Sequence, residues 1–150
     1  MAGKIVQVTI KRKGGGIASE SAASGSRTPG TYVPKAGDII HLDFTPAAGR
    51  EMKEPHFALV VSEFAFNQRS GLAWVCPISQ GIGLQNMDGP GLAVTLMGTG
   101  LKTQGKIHVY QMRAVDLRQR SAKLVEKAPA AILLEVRDGV AAIAGLGEEP

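Results

Sequence analysis

Apolar positions recur with a period near two along most of the chain and with a helical period only at its C-terminal end. In Ile39–Phe44, Ile40, Leu42 and Phe44 alternate with His41 and Asp43, the pattern of a half-buried strand. Phe57–Ser62 is a short apolar run that predicts a buried strand, and Leu72–Ile78 predicts another, with Pro77 near its end where a missing N–H is tolerable. Leu92–Leu96 and Ile107–Val115 read as further strands and Ala122–Val125 as a short one. The breaks between them have turn chemistry: Thr45–Gly49, the polar stretch 50–56 with Pro55, a turn at Asn67–Gly71, and a loop with four glycines at Gly81–Gly91. After Pro129 the period changes. Ile132, Val136, Val140 and Ile143, with Leu133 beside them, make a helical stripe; Gly139 weakens that helix and Gly145 suits its end. The predicted fold is mostly β with a C-terminal helix, a small, strongly bent sheet or barrel. No period of 20–50 residues marks a repeat protein.

The first 31 residues differ from the rest. Lys4–Lys13 alternates weakly, and Gly14–Gly16 and the Ser/Ala/Gly-rich stretch Ala18–Gly30 follow. Such a composition buries little surface, so residues 1–31 are expected to be a flexible extension or linker, native or a fusion remnant, and 32–150 the folded domain. Charge sharpens this division. The formal charge of +4 lies entirely in residues 1–34, which carry five basic side chains against Glu20; 35–150 hold twelve of each sign. Phosphate attraction by the body must therefore come from local clusters such as Arg113, Arg118, Arg120 and Lys123. No apolar run approaches the roughly 20 residues of a membrane span, and no apolar N-terminal signal is present. The single cysteine, Cys76, excludes an internal disulfide and a cysteine-rich metal site, which fits a reducing cytoplasm.

Local catalytic signatures are absent: no dinucleotide-binding glycine motif, P-loop, HExxH or nucleophile elbow. His41, His56 and His108 are too far apart in sequence to form an obvious metal motif, and neither metal nor cofactor is expected. Any chemistry must come from residues assembled in space.

Four segments, in order, carry a resemblance. These are Pro34-x-x-Gly37-Asp38-Ile39-Ile40-x-x-Asp43-Phe44-x-Pro46-x-x-Gly49-x-Glu51; Ala58-Leu59-Val60-Val61-Ser62; Ala65-Phe66-Asn67 followed by Pro77-Ile78-Ser79-Gln80-Gly81; and Tyr110-Gln111-Met112-Arg113-x-x-Asp116. Over about residues 32–145 the chain resembles the MazF/PemK toxin endoribonucleases, and the third segment resembles their ChpB-like branch. The resemblance implies an SH3-like (CcdB/MazF-type) small β-barrel with a C-terminal helix, usually a homodimer. It also implies metal-independent cleavage of single-stranded RNA by a ribose 2′-OH and restraint by a cognate antitoxin.

That chemistry needs a group to take the 2′ proton, a donor for the leaving 5′ oxygen and donors for the charged phosphorane. The resemblance places Ser79 where the family has a catalytic Thr or Ser. It places His56-Phe57 where the family has Arg-Pro, a departure at the most important position. Arginine is permanently charged and forks onto phosphate, whereas histidine is itself an acid or base near neutral pH. The expected catalytic residues are His56, Ser79 and Glu51, with Arg50, Phe57, Gln80, Gln111 and Arg113 as RNA-binding residues. Three readings stay open. The chain is an RNA-cutting toxin, a catalytically silent relative that binds antitoxin or RNA, or a CcdB-type gyrase poison, whose C-terminal pattern the ending Gly147-Glu148-Glu149-Pro150 lacks. Trp74, Phe57, Phe64 and Phe66 are candidates for stacking bases, but most of the aromatic residues are expected in the core, with Phe57 the most exposed.

Overall fold

The computed structural model of the chain describes residues 32–44, 48–49, 55–80 and 92–146. Seven strands form one sheet: β1 (Asp38–Asp43), β2 (Pro55–Val60), β3 (Leu72–Ser79), β4 (Ala93–Thr95), β5 (Lys106–His108), β6 (Arg113–Asp116) and β7 (Lys123–Lys127). Helix α1 (Phe64–Ser70) joins β2 to β3, and α2 (Ala130–Ile143) follows β7. The strand order is β4-β5-β3-β2-β1-β7, with β6 also paired to β3, so β3 is the centre on which the sheet bends. Every pairing is antiparallel.

The strict alternation of β1–β3 explains why both faces are covered. Ile39, Leu59, Cys76 and Ile78 point to one core with Ile107, Val109, Ile132 and Val136, which α2 closes. Ile40, Leu42, Phe44, Ala58, Val60, Ala73 and Val75 point to a second core with Val115 and Leu117. Because side chains alternate, slipping any of these strands by one residue would exchange the two sets. Cys76 is fully buried and its thiol is pushed up to about 12 by burial, so it acts as packing and not as a nucleophile.

Three sequence expectations are corrected. The turn expected at Asn67–Gly71 is the end of α1: Gly71 takes φ 76° and its N–H closes on the Asn67 carbonyl. The buried Asn67 amide also donates to the Pro34 carbonyl at 2.9 Å, which pins the start of the domain. The strand expected over Ile107–Val115 is two strands, β5 and β6, interrupted by a 3-10 turn at Val109–Gln111. The C-terminal stripe is also narrower than expected: Ile132 and Val136 are buried, but Ile143 is 53% exposed.

The Gly37-Asp38 pair begins β1 for a reason. Asp38 is buried, and its carboxylate accepts from Tyr32 Oη at 2.6 Å, Lys35 N at 2.9 Å and Lys127 Nζ at 2.7 Å. Burial alone would raise its pKa; the hydrogen bonds from Lys127, Lys35 and Tyr32 outweigh it and hold the carboxyl below its ordinary value. Burial, and then the hydrogen bond to and charge of Asp38, push the Tyr32 phenol far up. A carboxylate with a lowered folded pKa stabilises the fold above its unfolded pKa of about 3.9, and this is lost as pH falls through the folded value. Asp38→Asn is therefore expected to cost roughly 2 kcal/mol at pH 7. In urea melts that difference should shrink below about pH 4; a difference unchanged at pH 2–3 would contradict the role given to the ionised group.

Candidate active site

The site is at the C-terminal end of β3. Ser79 ends that strand, and its Oγ lies 2.6 Å from His108 Nε2 on β5. The hydrogen bond has two chemical senses. With a proton on Nε2 the imidazole donates and the serine proton is left to donate elsewhere; without it the serine donates to the ring. His108 is 2% exposed, and the Tyr110 ring stands edge-on to it with centroids 5.7 Å apart. The Tyr110 hydroxyl is buried and has no hydrogen-bond partner among the described residues.

Register decides which other side chains share this face. β2 pairs β3 as Phe57↔Ile78 and Ala58↔Pro77, so the same register carried one step further sets His56 across from Ser79. β1 pairs β2 as Leu42↔His56. β5 pairs β3 as Ile78↔Ile107 and Ser79↔Lys106. Ile78 and Ile107 are both in the α2-covered core, so Ser79, His56, Lys106 and His108 all belong to the other face. Arg113 joins that face from β6, where it pairs with Val75, and its guanidinium carbon sits 5.5 Å from the centroid of the Phe44 ring. The packing of β5 against β3 is close. A Cβ at Gly105 would overlap the Ser79 carbonyl oxygen, and Gly105 has φ 120°. A residue with a side chain is excluded there on both counts.

The remaining expected residues divide. Gln80 is exposed just beyond Ser79, and Gln111 is half-buried in the 3-10 turn. Phe57, expected to be the most exposed aromatic, faces the opposite side from His56, half-buried against the α2-covered core and edge-on to His41 at 5.1 Å. Arg50 and Glu51, and the loop 81–91, lie outside the described residues, as does the extension 1–31. Trp74 and Phe66 are the exposed aromatics, at 45% and 40%. They make an edge-on pair at 5.9 Å and line an apolar groove of about 360 Å³ with Met112, Val140 and Leu146. Trp74 points away from the Ser79 face by the same alternation. Among the described residues no cluster of His, Cys, Asp and Glu could hold a metal.

His108 is the site residue that sequence reasoning passed over. It is 29 residues from Ser79, and only the pairing of β5 with β3 brings the two together.

A bent antiparallel sheet with one closing helix carries a serine–histidine pair on a face shared with Lys106 and Arg113, the build of a small β protein with a polar surface site. Residues 35–144 match the family described as PemK-like, MazF-like toxin of type II toxin–antitoxin systems. The chain is 33% identical over 100 residues to the endoribonuclease PemK of Escherichia coli, spanning 67% of this chain and 74% of that one. It is 38% identical over 90 residues to the endoribonuclease toxin ChpB of Escherichia coli K12, spanning 59% and 75%. Solved structures of MazF from Deinococcus radiodurans, alone and with MazE, align with TM-scores of 0.69 and 0.64 at 36% and 34% identity. Each alignment covers 77% of this chain, and 99% and 100% of those chains. The chain belongs to the PemK-like, MazF-like toxin family. No described helix is long and apolar enough to cross a membrane.

Proposed function

We propose that this chain is the toxin of a type II toxin–antitoxin pair. It cuts single-stranded RNA without a metal, at the site built around Ser79. The observation that carries this reading is the 2.6 Å contact between Ser79 Oγ and His108 Nε2 on a face shared with His56, Lys106 and Arg113. In the proposed reaction a ribose 2′-OH attacks the adjacent phosphorus and the 5′-oxygen bond breaks, leaving a 2′,3′-cyclic phosphate and a 5′-hydroxyl. Ser79 donates to a phosphate oxygen as charge grows there, with its proton oriented by His108. His56 takes the 2′ proton and, as the imidazolium, returns it to the leaving 5′ oxygen, work that an imidazole performs near neutral pH. Glu51 and Arg50 remain proposed members of the site, and Gln80, Gln111 and Arg113 proposed RNA contacts. The opposite orientation of Phe57 argues against its stacking a base beside His56.

The named relatives support the activity, and the solved MazE–MazF complex supports restraint by an antitoxin. The apolar groove beside Trp74 offers surface for a protein contact, with an antitoxin or with a second copy in a homodimer. We place the protein in the cytoplasm, where single-stranded message is the substrate.

The histidine at position 56 favours a second reading, a catalytically silent relative that still binds RNA or antitoxin. One assay separates the two. The protein and its His56→Ala and His56→Arg variants are incubated in EDTA with a long mixed-sequence RNA, and the new ends are mapped. Cutting at a short recurrent sequence, reduced roughly 100-fold or more in the alanine variant, is the expected result. Cutting by the arginine variant alone would identify a silenced site, and cutting by none of the three would remove the nuclease reading.

A further inference from the structure

We propose that β5 also supplies the cation that holds the scissile phosphate: Lys106, directly across the sheet from Ser79. This rests on the nuclease reading for its substrate but on separate observations for the residue. Directly opposed residues of an antiparallel pair share a face, with Cβ atoms about 5 Å apart. Ser79 and Lys106 are such a pair. The register that opposes them is fixed on both sides. Ile107 is fully buried against Ile78, so a slip by one residue would put Lys106 in the core, and Gly105 permits a backbone approach to Ser79 that any other residue would block. Lys106 is exposed, and its backbone is paired directly across from that of Ser79.

The other cations on this face are less well placed. Arg113 opposes Val75, four residues before Ser79 along β3, which is roughly 13 Å away at strand spacing. Its guanidinium, moreover, is held over the Phe44 ring. His56 carries a charge only when protonated. The body has no net charge to attract RNA from a distance. A lysine one strand from Ser79 supplies that attraction where the reaction needs it. Lys106 thus takes over, from the neighbouring strand, the phosphate contact that an arginine at position 56 would make.

The test measures binding separately from cleavage. A single-stranded 2′-O-methyl oligonucleotide, which lacks the attacking hydroxyl, is titrated against the parent, Lys106→Gln and Lys106→Arg between 50 and 300 mM salt (roughly the range in which phosphate contacts weaken). Fluorescence anisotropy gives the affinity. Removing one phosphate contact from a single strand should flatten the plot of log affinity against log salt by about 0.7, and Lys106→Arg should restore the slope. An unchanged slope in Lys106→Gln, or no binding by the parent, would overturn the proposal. Parallel cleavage in EDTA keeps the two ideas apart. A parent that cuts while Lys106→Gln keeps its slope sustains the nuclease and sinks the lysine. A parent that binds with a lysine-dependent slope but never cuts does the reverse.

Discussion

Ser79→Ala should lower the rate of RNA cleavage by about 100- to 1,000-fold, the effect of removing one oriented donor from a developing oxyanion. The loss should appear in kcat more than in KM, because the hydroxyl is asked to act on charge that forms during reaction. The fold should survive. The substitution removes one hydrogen bond and leaves a buried imidazole nitrogen without its serine, a cost of roughly 1–3 kcal/mol. Ser79→Thr keeps a hydroxyl and should recover most of the activity. Kinetics of the three proteins on one defined RNA would check this. An alanine variant that cuts at the parent rate would show that the serine only ends its strand.

Gly105→Ala should be more damaging than its size suggests. The new methyl must occupy space held by the Ser79 carbonyl, and the backbone there has φ 120°, outside the range that side-chain-bearing residues adopt readily. Strain and overpacking together should cost on the order of 3 kcal/mol, a fall in melting temperature of roughly 10 °C. Relief requires β5 to move away from β3. That would lengthen the distance from His108 to Ser79. Both stability and cleavage should therefore fall together, unlike the separate loss of cleavage in Ser79→Ala. A variant melting within about a degree of the parent would mean that the close approach is not what holds these strands in register.

The fold was legible where burial repeats in sequence. Ile40, Leu42 and Phe44 identify β1 by alternation, and Ile132 and Val136 identify α2 by helical spacing, because one-sided burial leaves that record. Alternation failed at the two interruptions. Phe64–Ser70 is too short for a helical period to emerge, and Val109–Gln111 turns without any glycine or proline to mark it. Ser79 and His56 could be named from family resemblance, but Lys106 and His108 meet Ser79 only through the pairing of β5 with β3, a long-range contact that no local pattern encodes. Exposure was misjudged for a similar reason. Trp74 alternates as a strand residue should, but the side to which it points is covered only in part, by Phe66, Met112 and the end of α2.

The central claim is that this site directs a ribose 2′-hydroxyl at its own phosphodiester. It is tested most directly with two matched RNA oligonucleotides in EDTA, one fully ribose and one with a single 2′-deoxy nucleotide immediately 5′ of the cleaved bond. The proposed reaction cleaves the first to a 2′,3′-cyclic phosphate and a 5′-hydroxyl, identified by mass, and leaves the second strand intact. Cleavage of the deoxy strand at the same bond, or no cleavage of either in EDTA, would contradict it.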